Sequence, residues 1–163
     1  IENRVLPAGP SVPDSVANAA LYYGMLHGLV SQARPYIWER MSFAAATDNF
    51  YAAARDGLGA RLYWPQIGAH VPVSELILRH LIPLAREGLQ DWGVDEGDID
   101  YYLGIIEERT LSGRSGAGWQ IETWRRLVDG SGLDRSEAAR ELVRRYHQRS
   151  FASTPVHTWP VSG

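Results

Sequence analysis

One face of a predicted helix near residue 50 carries residue types that suit the binding of an anion. Asp48, Ala52 and Arg55 are spaced i, i+4 and i+7, so they share a face, and Asn49 and Asp56 share the neighbouring one. The rest of this helix is rich in alanine. An arginine there can hold a carboxylate or a phosphate through its planar fork of donors. The stripe predicts either the wall of a polar site or a solvated face on which Arg55 pairs with Asp48.

Two further patterns each have a chemical and a structural interpretation. The glycine-rich stretch 113–118 could cradle a phosphate at a helix amino terminus, with Arg114 adding charge, but a flexible connecting loop is the more common meaning. The arginines of 135–149 invite a nucleic-acid interpretation. Glu137 and Glu141 precede them at helical spacing, however, which favours ion pairs on a solvated face.

The first residues contain a weaker signal. Glu2 and Arg4 are two apart in a predicted strand over residues 1–5, so their side chains lie on the same side of it. A carboxylate and an arginine on one face can serve Mg²⁺ and a phosphate together.

Composition excludes several kinds of chemistry. The 163 residues contain no cysteine and no lysine, since all 16 basic residues are arginine. This excludes thiolate metal sites, cysteine nucleophiles, Schiff-base lysines and the P-loop lysine. A net charge of −3 is unlike that of a dedicated nucleic-acid binder. No apolar run is long enough for a membrane helix. No two of the five histidines have metal-ligand spacing. We therefore expect a cytoplasmic protein that binds neither nucleic acid nor membrane.

Periodicity predicts the elements that must position these residues. The predicted fold class is mainly α, with five to six helices and a short β-hairpin in a single helical domain over 1–163. The hairpin joins 61–64 to 69–71. Ser74 is the expected cap of the third helix, Pro83 should kink it, and residues 153–163 form a strap. The helices are predicted over about 13–32, 42–56, 74–90, 98–111, 119–128 and 134–148.

Three stretches also carry a likeness to a known family. They are Ile1-Glu2-Asn3-Arg4 with the helix after it, Asp48-Asn49-Phe50-Tyr51-Ala52-Ala53-Ala54-Arg55-Asp56-Gly57-Leu58, and Gly113-Arg114-Ser115-Gly116-Ala117-Gly118-Trp119-Gln120. In order and rough spacing, they resemble a Glu-x-Arg strand, an Asn-x-Trp-x-Ala-x-Arg-Tyr-Gly-Leu stretch and a Gly-x-Gly-Ala-x-x-Gln segment. These segments occur in the carboxyl-terminal part of the glutamate–cysteine ligase family, in its bacterial carboxylate–amine ligase branch. The likeness extends to about residue 126.

The resemblance implies a fold, a reaction and a set of site residues. The fold would be the carboxyl-terminal part of a glutamine-synthetase-like α+β fold, an antiparallel sheet with helices behind it. Family members use ATP and Mg²⁺ to activate a carboxylate as an acyl phosphate, which an amine attacks to form an amide. Carried over, Glu2 is the metal-ligand candidate, Arg4 and Arg55 are the catalytic candidates, and Asn49 and Gln120 are the substrate-binding candidates.

The same likeness contains departures that keep an alternative open. Asp56 stands where the family has tyrosine, and Gly118 and Trp119 stand where acidic and basic residues usually precede the glutamine. The chain is therefore either the last part of an ATP-dependent ligase or a non-catalytic helical binding or scaffold module derived from that fold.

The expected partners follow from the ligase interpretation. They are the amino-terminal part of the same protein, which would hold most of the ATP and metal strands, and a small amino acid or amine substrate; a homodimer is left open. The 163 residues alone are not expected to turn over ATP.

Overall fold

The computed structural model describes residues 8–31, 37–130 and 132–161. As predicted, these residues are mainly helical, with one two-stranded antiparallel sheet among them. The predicted strand over 1–5 lies outside the described residues. The elements are α1 (Val12–Ser31), α2 (Ile37–Arg40), α3 (Phe43–Asp56), β1 (Arg61–Trp64), β2 (Ala69–Pro72), α4 (Val73–Leu76), α5 (Ile82–Asp91), α6 (Glu96–Ser112), α7 (Gly116–Gly130) and α8 (Arg135–Phe151).

The centre of the fold is a close crossing of α1 and α5, with α6 packed beside both. Glycines make the crossing possible. A Cβ on Gly24 would stand 2.5 Å from the carbonyl oxygen of Ala85, and one on Gly28 would stand 2.7 Å from that of Leu84. Gly88 faces the same two glycines from α5. The backbones therefore approach as closely as GxxxG-type packing allows, and the spacing of Gly24 and Gly28 is of that kind. The adjoining core consists of Ala85, Leu89, Ile99 and Leu103.

Local sequence explains most helix ends. The Ser42 hydroxyl accepts a hydrogen bond from the Ala45 amide at the start of α3, and Asp134 and Glu137 form the expected capping box of α8. The prediction that Ser74 caps the third helix is wrong. Strand β2 runs directly into α4, so Pro72 precedes the first helical residue and no side chain caps it.

Pro83 alters its helix in a way that the sequence did not specify. The predicted helix over 74–90 is observed as α4, a π-helical turn at Ile77–Leu81, and α5. Proline has no N–H to donate, and its ring would crowd the carbonyl four residues back, that of Arg79. A wider turn just before Pro83 relieves both problems, because each π-helical hydrogen bond spans five residues.

A second core holds the last described residues against α7 and α8. Trp119, Val156, Trp159 and Val161 are buried together. The Trp119 indole donates to the Pro160 carbonyl at 3.2 Å, and the Trp159 indole donates to that of Thr154 at 2.8 Å. The expected strap is thus a packed segment with a short 3₁₀ turn at Val156–Thr158.

Asp14 connects this tail to the first helix. Its side chain is fully buried, and one carboxylate oxygen accepts hydrogen bonds from the Ser11 hydroxyl at 2.7 Å and the Val156 amide at 3.0 Å. The other oxygen lies 3.8 Å from the Arg109 guanidinium, which donates to the Asn18 side chain. Because a buried carboxylate needs such partners, Asp14 fixes residues about 140 positions away in sequence.

The arginine-rich face of α8 forms the expected ion pairs at Glu141, whereas the Glu137 side chain serves the capping box instead. The Glu141 carboxylate accepts hydrogen bonds from Arg144 at 2.6 and 2.7 Å and from Arg145 at 2.7 Å. These hydrogen bonds lower the pKa of Glu141 from its ordinary 4.5 to about 2.

Among the described residues, no helix combines the length and the apolar composition that crossing a bilayer requires.

The low pKa of Glu141 gives a testable pH dependence. A depressed folded-state pKa means that these ion pairs stabilise the protein above pH 4.5 and lose that effect as the pH falls towards 2. Carboxyl-selective NMR titration should place the Glu141 midpoint near 2. Replacing both Arg144 and Arg145 by glutamine should return it towards 4.5. A wild-type midpoint near 4.5 would contradict the ion-pair geometry.

Candidate functional site

The hairpin and α3 enclose a polar cleft, which we call the basic cleft. One part has a volume of about 290 Å³, and an adjoining part of about 450 Å³ shares two of its lining residues, Asp48 and His70. The first part is lined by Asp48, Asn49, Tyr51, Ala52, Arg55, Arg61 and His70, and the second by Arg40, Ser42, Ala44, Ala45, Asp48, Tyr63 and His70.

Asn49 fixes the hairpin against α3. Its side-chain amide donates to the Tyr63 carbonyl at 2.8 Å and accepts from the Tyr63 amide at 2.7 Å. Tyr63 lies in β1 opposite His70 of β2, so this pair of hydrogen bonds sets the position of both strands. Asn49 therefore shapes one wall of the cleft, and its role towards a substrate stays a prediction.

Arg55 is oriented by its sequence neighbour. Its guanidinium donates to both oxygens of Asp56, at 2.9 and 2.7 Å. The hydrogen bonds raise the pKa of Arg55 and lower the pKa of Asp56, and the opposite charges add to both effects. The expected alternative, in which Arg55 pairs with Asp48, is wrong. The carboxylate of Asp56, the next residue, accepts hydrogen bonds from the Arg55 guanidinium instead.

The charge of the cleft favours an anion. Its lining includes Arg40, Arg55 and Arg61 against one carboxylate, that of Asp48, and Asp56 beside the lining pairs with Arg55. Arg61 is held in place by a hydrogen bond from its guanidinium to the His70 carbonyl at 2.7 Å. The three arginines come from separate elements, α2, α3 and β1. Since Asp56 holds the Arg55 fork and the His70 carbonyl holds Arg61, a bound carboxylate or phosphate would have to compete with these acceptors.

The five predicted site residues are brought together only in part. Asn49 and Arg55 line the same part of the cleft. Gln120 is exposed on α7, a helix that packs on α8, and is not among the cleft residues. Glu2 and Arg4 lie outside the described residues.

The residues of the described ranges do not fit a metal ion. No group of three histidine or acidic side chains within residues 8–31, 37–130 and 132–161 is arranged to hold one. A Mg²⁺ site would need Glu2 together with residues beyond these ranges.

The glycine-rich stretch has a structural role. Gly113 takes the left-handed conformation (φ 67°) that ends α6, and the Ser115 hydroxyl accepts from the Gly118 amide in the first turn of α7. Arg114 donates to the carbonyls of His157 and Trp159, at 3.4 and 3.3 Å. These contacts support the interpretation as a connecting segment rather than a phosphate cradle.

Arg40, Arg61 and His70 are cleft residues that sequence reasoning did not single out. The hairpin itself was predicted, and its alternation places Arg61 and Tyr63 on one face. The missing information was that this hairpin packs on α3, which brings its side chains beside the polar stripe.

Asn49 offers a direct test of how the cleft is held. Asn49→Ala removes two hydrogen bonds to Tyr63, so we expect a loss of about 1–2 kcal/mol in the free energy of unfolding. The Tyr63 amide should also exchange faster with solvent. The adjacent variant Asp48→Ala removes an exposed carboxylate and should change stability by less than about 0.5 kcal/mol. Equal effects in urea denaturation would refute this role of Asn49.

Comparison of the chain with protein-family models, with curated proteins and with solved structures finds no match in any of the three.

Proposed function

We propose that the chain is the carboxyl-terminal part of an ATP-dependent carboxylate–amine ligase that resembles glutamate–cysteine ligase, within a glutamine-synthetase-like α+β fold. One observation carries the proposal. Asn49 and Arg55, which the resemblance marks, line one cavity together with Arg61 and His70. A cytoplasmic location suits an ATP-dependent reaction and a chain without cysteine.

The basic cleft supplies the electrostatic part of such a reaction. ATP would supply the phosphoryl group that activates the carboxylate. Arg55 and Arg61 would neutralise a substrate carboxylate or the charge that builds up as the phosphoryl group transfers. Arginines that are already oriented towards that charge accelerate such reactions by several kcal/mol in typical enzymes.

Binding of an anion must compete with Asp56 for Arg55. The guanidinium is 75% exposed and Asp56 is 39% exposed, so their pairing contributes little net stability and can be exchanged. A substrate carboxylate can take the place of Asp56 when Arg61 adds a second cation.

The ion pair of Arg55 with Asp56 also supports the second candidate function, a non-catalytic binding module. Asp56 occupies the position of the family's tyrosine, and here it satisfies both arms of the Arg55 fork. An arginine neutralised in this way suits a module that kept the fold but lost catalysis. Such a module would bind its partners without turnover.

Turnover by the product of the complete reading frame decides between the two. The protein would be given ATP, Mg²⁺, glutamate and a panel of amines, with ADP and amide formation both measured. Arg55→Lys should lower kcat/KM at least about tenfold, because a point charge cannot reproduce the bidentate fork. Arg79→Lys is the matched control, since Arg79 is 74% exposed and also pairs with a carboxylate, that of Glu75; its turnover should stay within about twofold.

Failure of the ligase proposal and failure of the site assignment give different results. Absence of ATP-dependent amide formation across the panel would refute the ligase proposal and favour the binding module. Turnover that Arg55→Lys leaves within about twofold would keep the ligase but remove the basic cleft from its site.

A further inference from the structure

Helix α1 exposes an apolar face that is unusual for a helix on a protein surface. Its residues contain a single acidic side chain, Asp14, which is buried, and no arginine. One side packs on α5 and α6 through Ala17, Gly24 and Gly28. A helix that is apolar on all sides is normally covered on all sides.

The exposed residues form a stripe with coiled-coil spacing, which we call the α1 stripe. Its members are Val12, Val16, Ala19, Tyr23, Leu26 and Val30, separated by four, three, four, three and four residues. All except the half-buried Ala19 are exposed, from 37% at Val16 to 66% at Val12. This alternation of three and four is the a/d pattern with which two helices interlock.

The α1 stripe is complementary to itself when a second copy runs antiparallel. Position numbers that sum to 42 then face each other, which pairs Val12 with Val30, Val16 with Leu26, and Ala19 with Tyr23. Each layer joins an a position to a d position, as antiparallel helices require. The small Ala19 lies opposite the large Tyr23, so the central layers have matched volumes.

The area agrees with a specific interface. With the adjoining Trp92, which is 59% exposed, the stripe offers roughly 600 Å² per chain. A pair that covers it fully would bury roughly 1,200 Å², the lower end for specific complexes. An apolar cavity of about 230 Å³, lined in part by Val16, Tyr23, Trp92 and Val94, opens beside the stripe. The partner's Leu26, opposite Val16, would lie at its mouth.

We propose that the α1 stripe is the interface of a homodimer in which two copies of α1 pair antiparallel about a two-fold axis near residue 21. The surface is isologous, so it closes on itself and does not propagate. No charged side chain of α1 lies in the seam, so nothing in the stripe opposes the pairing. This inference is independent of the proposed ligase function.

Charge exchange across one layer tests the proposal and its direction. Analytical ultracentrifugation of the chain should give twice the monomer mass of 18.2 kDa. Val16→Lys alone and Leu26→Glu alone should each give monomers at concentrations where wild type is dimeric, because each places two like charges in an apolar seam. The double variant should recover the dimer, since position 16 faces position 26 twice in an antiparallel pair.

Controls keep the result interpretable. Val143→Lys on α8 changes an apolar residue of equal exposure to Val12, 66%, and should leave the dimer intact. Far-UV circular dichroism checks that each variant is folded. If a variant is unfolded, cross-linking replaces it: a Val12→Cys chain mixed with a Val30→Cys chain should form the mixed disulfide, and the chain has no other cysteine.

Three outcomes would overturn the proposal. The first is a wild-type chain that is monomeric at about 100 µM. The second is a double variant that stays monomeric while both single variants are folded. The third is a complete protein that is monomeric while α1 is protected from hydrogen exchange. The last would assign the stripe to the amino-terminal part of the same protein.

Discussion

Gly88→Ala should lower the free energy of unfolding by about 3 kcal/mol or more, because it overpacks the tightest contact in the core. A Cβ at position 88 would stand 2.7 Å from the backbone nitrogen of Gly28 and nearer still to the carbonyl of Gly24. Both are backbone atoms, so no side chain can rotate away. The crossing of α1 and α5 has to widen, which loosens the helices on which α6 also packs.

The sign of this effect makes the test sharp. In an exposed helix, replacing glycine by alanine stabilises by about 1 kcal/mol. Gly104→Ala is the matched control, because it changes a glycine within α6 whose Cβ would meet no atom within 4 Å. Thermal melts should show a drop of about 10 °C for Gly88→Ala and no loss for Gly104→Ala. A Gly88→Ala protein as stable as wild type would mean that the helices do not cross so closely.

The elements of the fold could largely be predicted from local sequence, because periodicity and capping are local. The capping box at Asp134 and the hairpin around Pro65–Gly68 are examples. What could not be predicted depends on contacts between distant segments. The GxxxG spacing of Gly24 and Gly28 suits a close helix contact, but it does not say that the partner is Gly88 of a distant helix. The π turn before Pro83 follows from a choice between a kink and a wider turn.

The candidate site was predictable to the same degree. Arg55 on the polar stripe and Asn49 on the neighbouring face could be identified from helical spacing, and both residues line the cleft. Arg61 and His70 could not, because their place depends on how the hairpin packs on α3. The resemblance marks Asn49 as a substrate-binding candidate, but a motif does not show that its side-chain amide is hydrogen-bonded to the Tyr63 backbone.

A buried charge joins the tail around Val156 to α1, and this makes Asp14 the other position of large expected effect. Asp14→Ala should cost about 3–5 kcal/mol, as breaking a buried charged network usually does. It deprives the Val156 amide of its acceptor and removes the carboxylate nearest to Arg109. Arg109 is itself largely buried, and this burial lowers its pKa while the charge of Asp14 raises it.

The tail should respond before the rest of the molecule. Without Asp14, the segment around Val156 keeps its packing on Trp119 but loses its hydrogen bond to α1, so the Val156 amide should exchange faster with solvent. Asp14→Asn retains an acceptor oxygen and should give an intermediate loss. Asp100→Ala is the control, because Asp100 forms a short ion pair with Arg86 at 2.7 Å but is 67% exposed. Its loss should stay within about 1 kcal/mol, as for other surface ion pairs. If Asp14→Ala and Asp100→Ala prove equally mild in denaturant unfolding, the tail is held by its apolar contacts alone, and the buried carboxylate does not join it to α1.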